Sequence, residues 1–78
     1  IYEPRVALEA GPQGSEFYEI LIPEAWRVLK NKGHLFLEIG YKQAEKISEI
    51  LNTHGFENIC IEKDFQGHDR IIHAIKSN

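Results

Sequence analysis

The chain has 78 residues, a net charge of −3 and no methionine. A domain of this size buries only about 60% of the surface of its unfolded chain, so these residues form one domain at most and could be one piece of a larger domain. Lys and Arg are dispersed among Asp and Glu, which excludes the basic stripe that nonspecific nucleic-acid binding needs. Because the sequence opens on Ile1 and contains no Met, we expect a truncated, excised or processed product.

Cysteine usage and hydropathy favour a reducing compartment. Cys60 is the only cysteine and stands between Ile59 and Ile61, so we expect a buried structural thiol with no disulfide and no metal to bind. No stretch approaches the ~18 apolar residues of a membrane span, and no signal-peptide pattern is present. The sequence therefore predicts a cytoplasmic protein with no membrane partner.

Proline and glycine punctuate the first 14 residues. Glu3-Pro4, Gly11-Pro12 and Gly14 favour an ordered loop or short turn over a long element, and only Val6-Ala7-Leu8 offers packing. We therefore interpret residues 1–14 as a loop.

An amphipathic helix is predicted over residues 15–30, where apolar side chains recur on one helical arc. Pro23 removes an amide donor and crowds the carbonyl of Glu19, so a kink or a restart is expected near Ile22. Gly33 is expected to end this segment in the left-handed conformation.

A strand over residues 34–39 and a second amphipathic helix over 43–54 follow. The strand is apolar on both faces, a pattern typical of strands covered by layers on both sides. The helix is expected to end at Gly55.

Residues 58–63 and 70–76 are two β-branched runs that predict an antiparallel hairpin around the loop 64–69. A strand–helix–strand crossover makes strand 58–63 parallel to strand 34–39, and the more continuously apolar strand 70–76 is expected to lie between them. Strand 34–39 then has an unpaired outer edge. We expect that edge to promote self-association or a compensating rearrangement.

No catalytic or cofactor-binding signature is complete in this sequence. The six glycines never form a glycine-rich phosphate loop, and the histidines lack metal-ligand spacing, so no cofactor or metal site is predicted. His68-Asp69 is interpreted as a solvated turn and Trp26 as a packing residue. Tyr2-Glu3-Pro4-Arg5 could position a polar ligand or brace a loop; on the residues alone we favour the brace.

Short motifs run through the whole chain in a fixed order, and the set is more specific than any member. In chain order they are Tyr2-Glu3-Pro4-Arg5, Ala7-Leu8, Gly14, Phe17-Tyr18, Ile22-Pro23-Glu24-Ala25, Leu29, Gly33, Leu37-Glu38-Ile39-Gly40, Gln43, Gly55-Phe56, Lys63-Asp64, Gly67, Asp69 and Arg70. This series resembles the C-terminal part of the HemK/PrmC family, the peptide chain release factor glutamine methyltransferases.

The resemblance implies an α/β fold: residues 1–78 would be the C-terminal part of a class I, Rossmann-like domain that uses S-adenosylmethionine. Residues 1–14 would be a substrate-side loop, and residues 15–78 a helix-strand-helix-hairpin unit with two helices. The three strands would be the last three of a seven-stranded sheet, in spatial order 5-7-6. The residue-based argument for the central strand gives the same order.

The resemblance also implies which parts of the reaction are missing here. The family's cofactor loop, its ribose-binding acid and its catalytic Asn-Pro-Pro-Tyr motif correspond to sequence before Ile1, so no catalytic or cofactor-binding residue is expected in this chain. The resemblance makes Tyr2, Glu3, Pro4 and Arg5 candidates for substrate binding. The implied partner is a peptide chain release factor, and the chain alone is expected to be inactive. Two alternatives stay open: a fragment of an adenine-N6 nucleic-acid methyltransferase, which the acidic balance disfavours, and a noncatalytic interaction module.

Overall fold

In a computed structural model, the described residues are 5–9, 15–40 and 42–77, with backbone alone for 5–9 and 15. In chain order their elements are β1 (Arg5–Glu9), α1 (Ser15–Val28), β2 (His34–Glu38), α2 (Ala44–Thr53), β3 (Phe56–Lys63) and β4 (Asp69–Lys76). No helix within these ranges is long and apolar enough to cross a membrane.

The strands form one four-stranded mixed sheet in the order β1-β2-β4-β3. β1 is parallel to β2, while β4 is antiparallel to both of its neighbours. The order of the last three strands and the antiparallel hairpin agree with the sequence-based prediction. β4, the more continuously apolar of the two hairpin strands, takes the central position, and the more polar β3 lies at the edge, where polar residues are tolerated.

The fourth strand, β1, was not predicted. The loop expected over residues 1–14 is wrong for Arg5–Glu9; the rest of that segment lies outside the described residues. β1 pairs with β2 along its full length, from Arg5 opposite His34 to Glu9 opposite Glu38. The edge of strand 34–39 is therefore paired within the chain, so the expectation of an unpaired outer edge is wrong, and self-association stays a prediction without that edge to support it.

Both helices pack on one face of the sheet and enclose a single apolar core. Its buried members are Tyr18, Ile22, Ala25, Leu29, Leu35, Leu37, Ile39, Ala44, Ile47, Ile50, Leu51, Phe56, Ile72 and Ala74. Along β2, Leu35 and Leu37 face this core, while His34 and Phe36 are half-buried on the opposite face. The expectation of layers on both faces is therefore wrong for the described residues. On the face without helices, β2 carries the apolar Phe36, which stacks on His73 of β4, so this strand does not alternate between apolar and polar residues.

Helix α1 continues through Pro23 without interruption. The predicted restart near Ile22 is therefore wrong. Glu19, whose carbonyl Pro23 leaves without an amide partner, is exposed, so water can bind that carbonyl and the break is unnecessary. Trp26 packs edge-on against Phe56 with 5.1 Å between ring centroids, which agrees with the packing role predicted for it.

The turn after α1 uses Lys32, with φ 67°, as its left-handed residue, so the prediction for Gly33 is wrong. Gly33 is required for a different reason. A Cβ atom there would lie 2.8 Å from the carbonyl oxygen of Lys30. The backbone thus approaches itself too closely for any side chain.

Cys60 is exposed, so the prediction of a buried thiol is also wrong. It lies on edge strand β3 opposite His73, on the face of the sheet away from the helices. Its neighbour Ile59 packs against the core instead. An Ile-Cys-Ile run indicates a strand but does not show which of its faces is covered.

Candidate functional site at the carboxyl edge of the sheet

Three strands bring their ends together at one edge of the sheet. β1 and β2 are parallel, so both end there, and antiparallel β4 begins there. The amide of Ile39 donates a 2.8 Å hydrogen bond to the carbonyl of Arg70, which ties the residue after β2 to the start of β4. In open α/β sheets ligands bind outside this carboxyl edge, so it is the candidate functional site.

A closed turn follows β2 at this edge. The amide of Gly40 donates to the side-chain oxygen of Gln43 at 2.7 Å, and the amide of Gln43 donates to the carbonyl of Gly40 at 3.2 Å. Gln43 precedes α2 but makes no side-chain cap bond to the helix; its amide side chain reaches back to Gly40 instead. These two bonds close the turn between Gly40 and Gln43 and occupy both of their amide donors.

Helix α1 is attached to the same edge through Tyr18. Its hydroxyl donates to the carbonyl of Glu38 at 3.1 Å, and the side chain is fully buried. Burial raises the pKa of Tyr18, and the nearby charge of Glu38 raises it further. Tyr18 therefore stays a neutral hydrogen-bond donor at physiological pH and fixes the end of β2 against the helix layer.

The loop between β3 and β4, residues 64–68, is held by the side chain of Asp64. The carboxylate accepts from the amides of Gln66 at 2.9 Å and His68 at 3.0 Å, and the Asp64 amide donates to the His68 carbonyl at 2.9 Å. The bond from the His68 amide, together with that from Gln66, lowers the pKa of Asp64. At the tip of this ordered loop Phe65 is completely exposed.

His68 is an exposed member of this loop. The Asp64 carboxylate lies 4.0 Å from His68 Nδ1, and Asp69 forms an ion pair with Lys63. The exposure of His68 is in keeping with a solvated turn, and that interpretation of His68-Asp69 stays a prediction.

Two histidines meet on the face of the sheet away from the helices. His34 Nδ1 and His73 Nε2 are 2.7 Å apart, and Phe36 stacks on His73 with 4.3 Å between ring centroids. Sequence analysis found no metal-ligand spacing among the histidines and did not predict this contact, which depends on the antiparallel register of β2 and β4, with His73 opposite Phe36. Within the part of the chain that is described, no three His, Cys, Asp or Glu side chains are close enough to hold a metal ion.

Of the four candidates for substrate binding, Tyr2, Glu3 and Pro4 lie outside the described residues. Arg5 begins β1 opposite His34, at the amino edge of the sheet. At about 3.3 Å per residue, its backbone lies roughly 13 Å along the strand from the carboxyl edge. Sequence reasoning had not singled out Phe65 as a site residue; an aromatic residue between a strand and a Gly-containing turn was the available signal.

The chain is similar over nearly all its length to known methyltransferases. It is 44% identical over 75 residues to a release factor glutamine methyltransferase of Clostridium botulinum, covering 96% of this chain and 26% of that protein. It is 39% identical over 77 residues to the enzyme of the same name from Caulobacter vibrioides, covering 99% and 27%. A bifunctional methyltransferase of Rickettsia bellii is 44% identical over 71 residues, covering 91% of this chain and 13% of that protein. No protein-family model matches the chain.

A solved structure is similar as well. The crystal structure of a release-factor-specific protein-(glutamine-N5) methyltransferase from Alicyclobacillus acidocaldarius superposes with a TM-score of 0.64 at 26% identity, covering 87% of this chain and 46% of that chain. The chain therefore spans well under two thirds of each relative that it matches. Both comparisons confirm the resemblance to the HemK/PrmC family and the α/β fold that it implies.

Proposed function

We propose that this chain is the C-terminal part of a release factor glutamine methyltransferase. The whole protein would transfer a methyl group from S-adenosylmethionine to the glutamine of the Gly-Gly-Gln motif in peptide chain release factors. The observation that carries the proposal is the 44% identity to the Clostridium botulinum enzyme across 96% of this chain. Because release factors act at the ribosome, the proposal includes a cytoplasmic location.

The chemistry explains how the work would be divided along the protein. In the reaction the methyl–sulfur bond breaks while a carbon–nitrogen bond forms at the amide nitrogen, which then releases a proton. That nitrogen is a poor nucleophile because its lone pair is delocalised into the carbonyl, so the enzyme must hold it in line with the methyl donor. The resemblance assigns this task to an Asn-Pro-Pro-Tyr motif, which this sequence does not contain.

The present residues would supply the frame of the site. The Gly40 turn and the hairpin loop are fixed at the carboxyl edge by internal hydrogen bonds, so they can wall a pocket without moving when substrate enters. None of these residues is proposed to bind S-adenosylmethionine. The chain alone is therefore expected to be inactive.

We also keep Tyr2, Glu3, Pro4 and Arg5 as a proposed substrate-binding segment. Its support is the motif match alone, since the register of β1 starts Arg5 at the amino edge. This role requires the chain before β1 to return toward the carboxyl edge, or β1 to change its pairing when the rest of the domain is present.

A chimeric enzyme tests the proposal directly. The 75 matching residues of the Clostridium botulinum enzyme are replaced by those of this chain, and transfer of labelled methyl groups to a release factor is measured. We expect methylation that depends on the Gly-Gly-Gln glutamine, and none from the enzyme with the segment deleted. A chimera that folds and binds S-adenosylmethionine but never methylates release factor would refute the proposal. Calorimetry should detect no binding of S-adenosylmethionine by the isolated 78 residues.

A further inference from the structure

The loop between β3 and β4 places a large apolar side chain in solvent at the candidate site. Phe65 is completely exposed, whereas Phe56 is fully buried and Phe36 half-buried. An exposed aromatic ring on an ordered loop is the kind of residue that anchors protein interfaces, where a few aromatic side chains carry most of the binding energy.

The loop is preorganised to present that ring. The Asp64 carboxylate accepts hydrogen bonds from the amides of Gln66 and His68, and the Gly67 amide donates to the Asp64 carbonyl at 3.0 Å. Four hydrogen bonds, including that from the Asp64 amide to the His68 carbonyl, thus close a five-residue loop. A partner that receives Phe65 would not have to order the loop first, which removes part of the entropic cost of association.

The position of the loop at the carboxyl edge of the sheet favours a protein substrate as the partner of Phe65. The carbonyl of Arg70, at the start of β4, accepts a hydrogen bond from the amide of Ile39, just after β2. The loop that precedes β4 and carries Phe65 therefore lies at the same edge as the turn after β2. A substrate that reaches this edge with a reactive side chain would bring its surrounding surface against the loop.

The charges beside the loop disfavour a membrane surface. Lys63 is paired with Asp69, and Arg70 lies 3.9 Å from the Asp64 carboxylate. These two cations are therefore neutralised within the hairpin and offer no basic patch for anionic lipid. A single ring also buries far less than the roughly 1,200 Å² of a stable protein interface, so it would act together with a second contact in the same partner. A protein whose glutamine occupies the active site supplies that second contact.

We propose that Phe65 is a docking residue for the protein substrate, inserting into an apolar depression on the release factor near the glutamine that is methylated. This inference rests on the proposed function and adds a recognition element to it. Phe65 does not take part in the chemical step. It sets the affinity for the whole protein substrate, and a short peptide that carries only the Gly-Gly-Gln motif does not reach it.

The test compares two substrates and two variants in the complete protein that carries this chain. Phe65→Ala should raise the KM for release factor about tenfold or more, the loss expected for one buried aromatic ring, with kcat unchanged. The KM for a short Gly-Gly-Gln peptide should not change. Val28→Ala is the matched control, because Val28 is another exposed apolar residue, 60% exposed at the end of α1, next to the carbonyl of Leu29 that contacts Lys76 at the opposite end of β4. It should alter neither KM.

Several outcomes would overturn the inference. Equal KM values for the Phe65→Ala and unmodified enzymes would do so, as would a parallel rise for peptide and protein. Phe65-dependent sedimentation with phosphatidylglycerol vesicles, or Phe65-dependent self-association, would also overturn it if the KM for release factor stayed constant. If the unmodified enzyme methylates no release factor, the proposed function fails as well. The melting temperature should be the same in all variants, which separates docking from folding.

Discussion

Replacing Lys76 by methionine should detach the C-terminal end of α1 from the sheet. Lys76 ends β4, and its Nζ donates to the carbonyls of Trp26 at 2.6 Å and Leu29 at 2.8 Å while lying 4.9 Å from the centroid of the Trp26 ring. Carbonyls in the last turn of a helix have no amide partner within the helix. One ammonium group thus satisfies two of them and places a positive charge at the negative end of the helix dipole.

The cost follows from these contacts. A hydrogen bond to a charged group contributes about 1.5–3 kcal/mol, and a cation near a helix C-terminus about 0.3–1 kcal/mol at an exposed position. The contributions overlap because they involve one group, and Lys76 is partly open to solvent, which screens them. Methionine keeps the apolar stem. We therefore expect Lys76→Met to lower the free energy of unfolding by about 2 kcal/mol.

Urea unfolding followed by far-UV circular dichroism measures this loss. The slope m should stay constant, so that the shift of the midpoint reports stability alone. Lys30→Met is the matched control: it removes an exposed lysine close to the same helix end, and should cost less than about 0.5 kcal/mol. If the two variants unfold at the same urea concentration, the carbonyl contacts of Lys76 do not stabilise the protein and the reasoning is refuted.

Two further predictions concern the turns. In Gly55→Ala the new Cβ would lie 2.8 Å from the ring of Trp26 at φ +97°, so we expect the free energy of unfolding to fall by about 2–3 kcal/mol and the tryptophan fluorescence to change. Gly67→Ala, with φ +85° and no atom within 4 Å of the new Cβ, should lower it by only about 1 kcal/mol. Equal losses in the two variants would show that the ring is not displaced. The pKa of Asp64 is lower in the folded state than in the unfolded chain. The ionised carboxylate therefore stabilises the fold above the unfolded pKa, and this stabilisation is lost as the pH falls through the folded pKa, below about pH 4. The amide resonance of His68 should report this titration, and Asp64→Asn should abolish it; an unchanged titration in that variant would assign the effect to another group.

The order of the elements from α1 to β4 could be predicted because each depends on local periodicity. Residues 44–53 have four buried apolar positions at helical spacing, and Gly55 ends the segment in the left-handed region as expected. The central place of β4 followed from comparing two runs: Ile72 and Ala74 are fully buried, while Glu62 and Lys63 are exposed on β3. Such contrasts in composition survive folding because they reflect how much of each strand is covered.

The pairing of β1 and the registers of the strands could not be predicted in the same way. β1 is a short stretch between proline and glycine, and its strand conformation depends on a partner 29 residues further along the chain, as in the pair Arg5 and His34. The contact between His34 and His73 likewise depends on the register of two strands, and so does the face on which Cys60 lies. The register of two strands depends on tertiary contacts, and shifting one strand by one residue would move each of its side chains to the other face of the sheet.

The candidate site could likewise be predicted only in part. The rule for α/β sheets points to the carboxyl edge, but polar groups described there are bound to one another: Gly40 to Gln43, and Asp64 to the amides of its own loop. Groups satisfied in this way provide shape and rigidity to a pocket, whereas catalysis needs donors and acceptors aimed at the reacting atoms. Among the described residues of the loop between β3 and β4, Phe65 is the one large apolar side chain, and it is fully exposed to solvent. That contrast is why we propose recognition of a protein substrate, and no part of the chemical step, as the contribution of this segment.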